Sequence, residues 1–244
     1  MLRLNLRGAG PGRGRARGTY SALPLKDMWP ALDHARRLAE GRPLYGVGIS
    51  LGGTVLLNAC LHAEAGLPLD GVVCISSPLD LALSARRFER WRNRAYSHWL
   101  VNRLRQQTLA DPFGLRPEEQ RALSGPERVR SVQAFDAAIT APRWGYRSVE
   151  EYYTDASPLP ALLKVPPMPP VLLLHARDDP WVPADPVERL AAVHASPAGQ
   201  VGMDVLITPS GGHNGFHSPW DGRGGCWSDR LAVAWLERML ERSR

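Results

Sequence analysis

The stretch that decides the fold reads Leu44-Tyr45-Gly46-Val47-Gly48-Ile49-Ser50-Leu51-Gly52-Gly53-Thr54-Val55-Leu56-Leu57. A short apolar run over residues 43–48 reads as a strand. Residues 50–65 carry the small, apolar face of a buried helix. Between them, Gly48-Ile49-Ser50-Leu51-Gly52 is G-x-S-x-G, which sets a serine on a sharp strand-to-helix turn. Such a turn holds the serine at strained backbone angles with its hydroxyl exposed. Glycines two residues to either side are expected to relieve crowding between strand and helix. The helix N-terminus behind Ser50 offers N–H groups to developing negative charge, and the Leu51 amide is the expected oxyanion donor.

Outward from this turn, Leu2-Arg3-Leu4-Asn5-Leu6 alternates and predicts a strand, followed by a Gly/Arg loop over 8–18. Residues 25–40 have helical periodicity, and 69–75 read as a buried strand. The order β-α-β-α-β implies a mostly parallel, doubly wound sheet of the α/β class. From 79 to 165 the strand signal vanishes. One long basic helix is predicted over 86–109 and shorter ones over 117–123 and 129–139. Phe88, Trp91, Tyr96, Trp99, Phe113, Trp144, Tyr152 and Tyr153 gather there, either lining a pocket or packing the helices down. The α/β rhythm resumes with strands at 170–175 and 203–208 and helices at 186–194 and 228–240. The expected organisation is a core, 1–78 and 166–244, interrupted by a helical cap, 79–165.

A serine hydroxyl needs a base to become a nucleophile near neutral pH, and the base needs an orienting carboxylate. On this kind of turn they are expected in the order serine, acid, histidine, each on a loop after a strand. The first later strand runs into Ala176-Arg177-Asp178-Asp179-Pro180-Trp181-Val182-Pro183, and the second into Pro209-Ser210-Gly211-Gly212-His213-Asn214-Gly215-Phe216. His213 is the expected base and Asp179 the expected acid, with Asp178 the alternative. His217 reads as a loop residue and His175 as a satisfied structural one. His34, His62, His98 and His194 fall on helices in packed or solvated roles. No spacing suits a metal, there is no P-loop, and Pro11 spoils the glycines at 8–12 as a dinucleotide fingerprint. Neither cofactor nor metal is expected.

Composition narrows the class further. A chain of 244 residues, 44% hydrophobic and 22% charged, excludes disorder and coiled coil. No apolar run approaches the roughly 20 residues of a membrane helix, and residues 1–10 lack a secretory apolar region. Cys60, Cys74 and Cys226 are sparse and unpaired in spacing, which suggests reduced thiols and a cytoplasmic setting. Net charge is +6, and 28 of the 30 basic residues are arginine, so no nucleic-acid partner is inferred without an aromatic-basic motif. The clusters Arg13/Arg15/Arg17 and Arg86/Arg87/Arg90/Arg92/Arg94 could steer anionic substrates or touch anionic lipid.

With these residues in order the chain resembles the α/β-hydrolase superfamily. More narrowly it resembles the YheT-type branch, related to the abhydrolase-domain 1, 2 and 3 proteins. The narrower likeness rests on Asn5-Leu6-Arg7-Gly8, Ser76-Ser77-Pro78-Leu79-Asp80-Leu81, Phe135-Asp136-Ala137-Ala138-Ile139-Thr140-Ala141-Pro142, Gly145-Tyr146, Glu151-Tyr152-Tyr153, and the double-aspartate and histidine loops. The resemblance implies hydrolysis of carboxylic esters, acyl esters or acylglycerol-like lipids, through Ser50, His213 and Asp179, with a small-molecule substrate. It also implies three strands and a helix ahead of the strand at 2–6, and a second oxyanion donor on the loop after the third strand. The expectation is therefore an N-terminally truncated hydrolase fold, with 43–48 at an open edge unless 2–6 slides over to pair with it. Weak activity follows from the missing donor, as does the alternative of an inactive hydrolase-like binding or scaffold protein. The open edge favours association.

Overall fold

Four parallel strands, lying side by side in chain order, carry the fold of the computed structural model, which describes residues 1–64, 66–194, 202–222 and 225–242. They are β1 (Tyr45–Ile49), β2 (Gly71–Ile75), β3 (Val171–Ala176) and β4 (Met203–Thr208). The register sets Ile49 beside Ile75, Ile75 beside Leu174 and Leu174 beside Leu206, so the strands end at nearly one level. The loops that leave those ends therefore meet along one rim of the sheet.

Both faces of the central strands are covered, as a parallel sheet requires. Helices α1 (Leu25–Ala39) and α2 (Leu51–Leu61) set Met28, Leu32, Val55 and Leu57 against Val72, Cys74, Val171 and Leu173. Between β2 and β3 come α3 (Leu81–Phe88), α4 (Arg94–Leu109), α5 (Pro117–Ser124), α6 (Val132–Phe135), a π-helical turn (Asp136–Thr140), α7 (Ala141–Trp144), α8 (Val149–Ala156) and α9 (Leu159–Leu162). Helix α10 (Asp185–His194) adds Val187 and Leu190 to the first face. Helix α11 (Trp227–Arg242) closes the other face with Ala232, Trp235 and Met239 on Val73, Ile75, Leu172 and Leu174. The alternation of strand residues between the two clusters is the period of two made visible.

Several expectations need correction. Residues 2–6 form no strand: among the described residues β1 pairs only with β2, and the segment has no ladder to join. A lone extended segment must leave its N–H and C=O groups to water. Accordingly Leu2 and Leu4 are exposed and only Leu6 rests against the core. β1 is the sheet edge, and Val47 and Ile49 remain 52% and 54% exposed. The helix expected over 50–65 stops at Leu61, and Ala65 lies outside the described residues. The single helix expected over 86–109 is two, joined by a 3-10 turn at Trp91–Asn93. Here the buried Asn93 side chain donates to the Arg87 carbonyl, taking an acceptor that a continuing helix would need.

The helix expected over 129–139 starts later, capped by Ser131 Oγ on the Ala134 amide. It then widens into the π turn before Pro142. Proline has no N–H to return to Ala138, and the Ala141 amide reaches back to the Asp136 carbonyl instead.

An enclosed ion cluster ties these helices together. Glu119 accepts two guanidinium bonds from Arg143, at 2.8 and 3.1 Å, and others from the Arg116 amide and guanidinium. Arg143 also bonds Asp111. Burial alone would raise the Glu119 pKa, but the bonds from Arg143 and Arg116 outweigh it and hold the carboxyl near 2. A depressed pKa stabilises the fold above the ordinary carboxylate range, and that gain is lost as pH falls toward 2. Glu119→Gln is expected to cost about 2–3 kcal/mol at pH 7, less than full burial would give because Arg116 is half exposed. Urea unfolding at pH 7 and pH 3 checks this: the gap between wild type and variant narrows at the lower pH. Equal gaps at both would refute it.

Candidate active site

Ser50 stands between β1 and α2 with φ 53° and ψ −127°, a left-handed conformation that a residue with a side chain adopts only under constraint. The constraint is a close approach of backbones. A Cβ at Gly48 would overlap the Cα and N of Gly53. A Cβ at Gly53 would run into the Ser77 side chain and lie 3.1 Å from Cys74 Cβ. Gly52, expected from the motif to be a crowded position, faces open space. The second indispensable glycine is thus three residues after the serine rather than two. The Ser50 amide donates to the Ile75 carbonyl at 2.8 Å, anchoring the turn to β2, and Leu51 begins α2 with its amide at the helix N-terminus.

The loops after β3 and β4 bring the two partners. His213 Nε2 lies 3.0 Å from Ser50 Oγ, and His213 Nδ1 lies 2.9 Å from Asp179 Oδ2. Asp179 is 1% exposed. Its Oδ1 accepts from the Trp181 and Val182 amides, both at 2.9 Å, so each carboxylate oxygen is satisfied. Asp178 is exposed and accepts from the Gly212 amide at 2.8 Å, which steadies the histidine loop without touching the imidazole. Of the two aspartates, Asp179 is the one beside His213. The Asn214 amide, at φ 65°, donates to Ser76 Oγ at 3.3 Å and fixes the loop on its other side.

His175, expected as a satisfied structural histidine, is only half satisfied. Its Nε2 pairs with the Val182 carbonyl at 3.1 Å, while Nδ1 has no protein partner. Burial pushes its pKa down, so the ring is neutral and Nε2–H donates. It thereby holds Val182, the residue whose own amide bonds Asp179. Asn93 does the same from the helical side by donating to the Pro180 carbonyl at 2.7 Å. Neither role has a motif; a histidine closing a buried strand is the one hint. His217 is exposed and pairs with Asp221. Among the described residues no cluster of three or more His, Cys, Asp or Glu side chains could hold a metal ion.

Ser50 and His213 open into a cavity of about 280 Å3. Its walls are Phe88, Tyr96, Leu100 and Leu104 from α3 and α4, Phe135 and Tyr153 from further along the helical segment, and Trp181. Trp181 stacks on Tyr96 at 3.6 Å and packs edgewise on His213 at 4.8 Å. The aromatic residues divide: Phe88, Tyr96, Tyr152 and Tyr153 line the cavity, whereas Trp91, Trp99 and Phe113 are exposed. Thr19 Oγ1, buried in the wall, has no partner. Asp136 also lines the cavity, its carboxyl enclosed although part of the residue faces the void. Thr140 Oγ1 and Tyr153 OH donate to it at 2.7 and 2.8 Å. Burial raises its pKa to about 6 against those two bonds.

Residues 2–222 match the model of the alpha/beta hydrolase family. The chain belongs to this family. Among the proteins it is similar to are the YheT protein of Escherichia coli, 29% identical over 98% of this chain and 68% of its own length, and phospholipase ABHD3 of Mus musculus, 28% identical over 91% and 52%. The monoacylglycerol lipase of Saccharomyces cerevisiae is 28% identical over 84% of this chain and 45% of its own. The chain thus spans from under half to about two thirds of the length of these hydrolase-family relatives. The resemblance to the YheT and abhydrolase-domain branch accords with them.

Gly53→Ala is expected to destabilise the fold by about 2 kcal/mol or more through overpacking, whereas Gly52→Ala, in open helix, stabilises it by about 0.5–1 kcal/mol. Thermal melts of the two variants decide the matter, and equal melting temperatures would discount the crowding argument. For Asp136 the sign is opposite to that of Glu119. A raised carboxyl pKa means the folded chain keeps a proton that the unfolded chain releases, so stability drops as pH climbs from about 4 to 6. Asp136→Asn removes a loss of about 2–3 kcal/mol over that window. Urea titrations of both proteins at pH 4 and 7 measure it; curves that move in parallel would contradict the assignment.

Proposed function

We propose that this chain is a serine hydrolase that cleaves carboxylic esters of acyl or acylglycerol-like lipids, with Ser50 as nucleophile, His213 as base and Asp179 as orienting acid. What carries the reading is the unbroken line of hydrogen bonds from buried Asp179 through His213 to Ser50, ending at an aromatic-walled cavity. The names of the relatives, a phospholipase and a monoacylglycerol lipase among them, support a lipid or ester substrate. In this reading residues 79–165 serve as the cap and its apolar wall receives the acyl chain.

The steps follow from the geometry. His213 Nε2 takes the Ser50 proton as Oγ attacks the ester carbonyl. Asp179 stays ionised and holds Nδ1–H, fixing the tautomer and stabilising the imidazolium. The Leu51 amide at the start of α2 meets the oxyanion. His213 then protonates the leaving alkoxide, and the alcohol departs from an acyl ester on Ser50. Water, deprotonated by His213, attacks that ester, and the proton returns to Ser50 Oγ as the acid is released.

A fluorophosphonate probe and p-nitrophenyl acyl esters test the proposal. Labelling and turnover are expected in the wild type, with none in Ser50→Ala. Asp179→Asn should lower kcat by about 10⁴, whereas Asp178→Asn should leave it within a few-fold. Folded protein that neither labels nor turns over ester would instead favour the inactive binding or scaffold role.

A further inference from the structure

The outer side of α3 and α4 is as distinctive as the inner side. Over 81–110 the chain carries Arg86, Arg87, Arg90, Arg92, Arg94, Arg103 and Arg105 against one acid, Glu89. Arg86, Arg90, Arg92, Arg94 and Arg103 are exposed. None of these five is in an ion pair among the described residues, whose arginine bridges all involve other positions. Two large aromatic side chains stand exposed in the same stretch, Trp91 at 79% and Trp99 at 55%, the latter with one side against the Tyr96 ring at 5.5 Å. At about 100° per residue, Arg94 and His98 lie about 40° apart on α4, with Trp99 about 100° further round and Arg103 about 40° beyond it, so together they span the exposed half of the helix, and Trp91 enters one turn before it. The rest of the α4 circumference supplies Tyr96, Leu100 and Leu104 to the cavity wall.

Isolated arginines reflect solubility, and isolated tryptophans reflect little. Unneutralised cations alternating with exposed indoles along one face is the pattern that suits a bilayer interface, where the ring sits among headgroups and guanidinium groups meet anionic phosphates and carboxylates. We propose that the Trp91–Arg103 face docks on the surface of an anionic phospholipid bilayer, with Trp91 and Trp99 at headgroup depth and Arg90, Arg92, Arg94 and Arg103 over the anionic headgroups. Helix α4 would then lie between the bilayer and the cavity that it helps to line. The occupant follows from charge complementarity and from the aromatic component, which counterion release alone does not require. The inference stands apart from the hydrolase reading, because its deciding readout is partitioning onto vesicles rather than turnover.

The test is co-sedimentation of the full chain with vesicles of phosphatidylserine and phosphatidylcholine, against vesicles of phosphatidylcholine alone. Binding to the first, little to the second, and loss of binding with rising salt are expected. Arg92→Glu/Arg94→Glu should weaken partitioning about tenfold or more. Trp91→Ala/Trp99→Ala should weaken it severalfold and abolish quenching of tryptophan fluorescence by brominated lipid. Thermal melts confirm that both variants fold, and hydrolysis of a water-soluble short-chain ester should be unchanged in them. Equal binding to both vesicle types, no binding to either, binding that survives both double substitutions, or tight association with polynucleotide in place of vesicles would each overturn the proposal.

Discussion

The contact on which the rest depends is the near-touching of two backbones, Gly48 on β1 and Gly53 on α2. Because neither carries a Cβ, the strand can turn straight into the helix within two residues. The cost of that turn is borne by Ser50, whose positive φ is held in place by the Ile75 carbonyl on one side and the helix on the other. The hydroxyl is thereby fixed above the sheet rim, with a helix N-terminus beside it. Everything else at the site is arranged around a serine whose backbone is held in place.

Much of this was legible in the sequence because it depends on local rules. The strands at β2, β3 and β4 announce themselves as apolar runs, and the loops that follow β3 and β4 carry their acid and imidazole in an order that a parallel sheet can bring together. What was not legible depended on groups distant in the chain. The break at 89–93 comes from one asparagine competing for one carbonyl. The π turn arises where Asp136 enters the cavity and proline follows, and neither feature alters hydrophobic periodicity. Alternation made 2–6 look like a strand, but alternation reports a preference that only a neighbouring ladder can realise. The motif likewise suggested the wrong second glycine, since its spacing does not reveal that Ser77 and Cys74 crowd Gly53 while Gly52 is free.

The surroundings of Asp179 show how a carboxylate is kept buried yet useful. Two backbone amides and one imidazole satisfy its two oxygens, and the loop supplying those amides is itself pinned by His175 below and Asn93 above. Asn93 sits at the joint between α3 and α4, so the residue that interrupts the long helix also reaches the acid loop. The position of the acid therefore depends on the helical segment as well as on the sheet.

Ser50 and His213 are separated by 163 positions along the chain, and His213 and Asp179 by 34. Loop closure over such distances is among the slowest contributions to assembly, and it is rewarded only once β1 through β4 are in register. An incompletely folded chain consequently presents a serine without the imidazole beside it. If Ser50 acts as proposed, its reactivity should appear late and all at once, an internal clock for the maturation of the whole sheet.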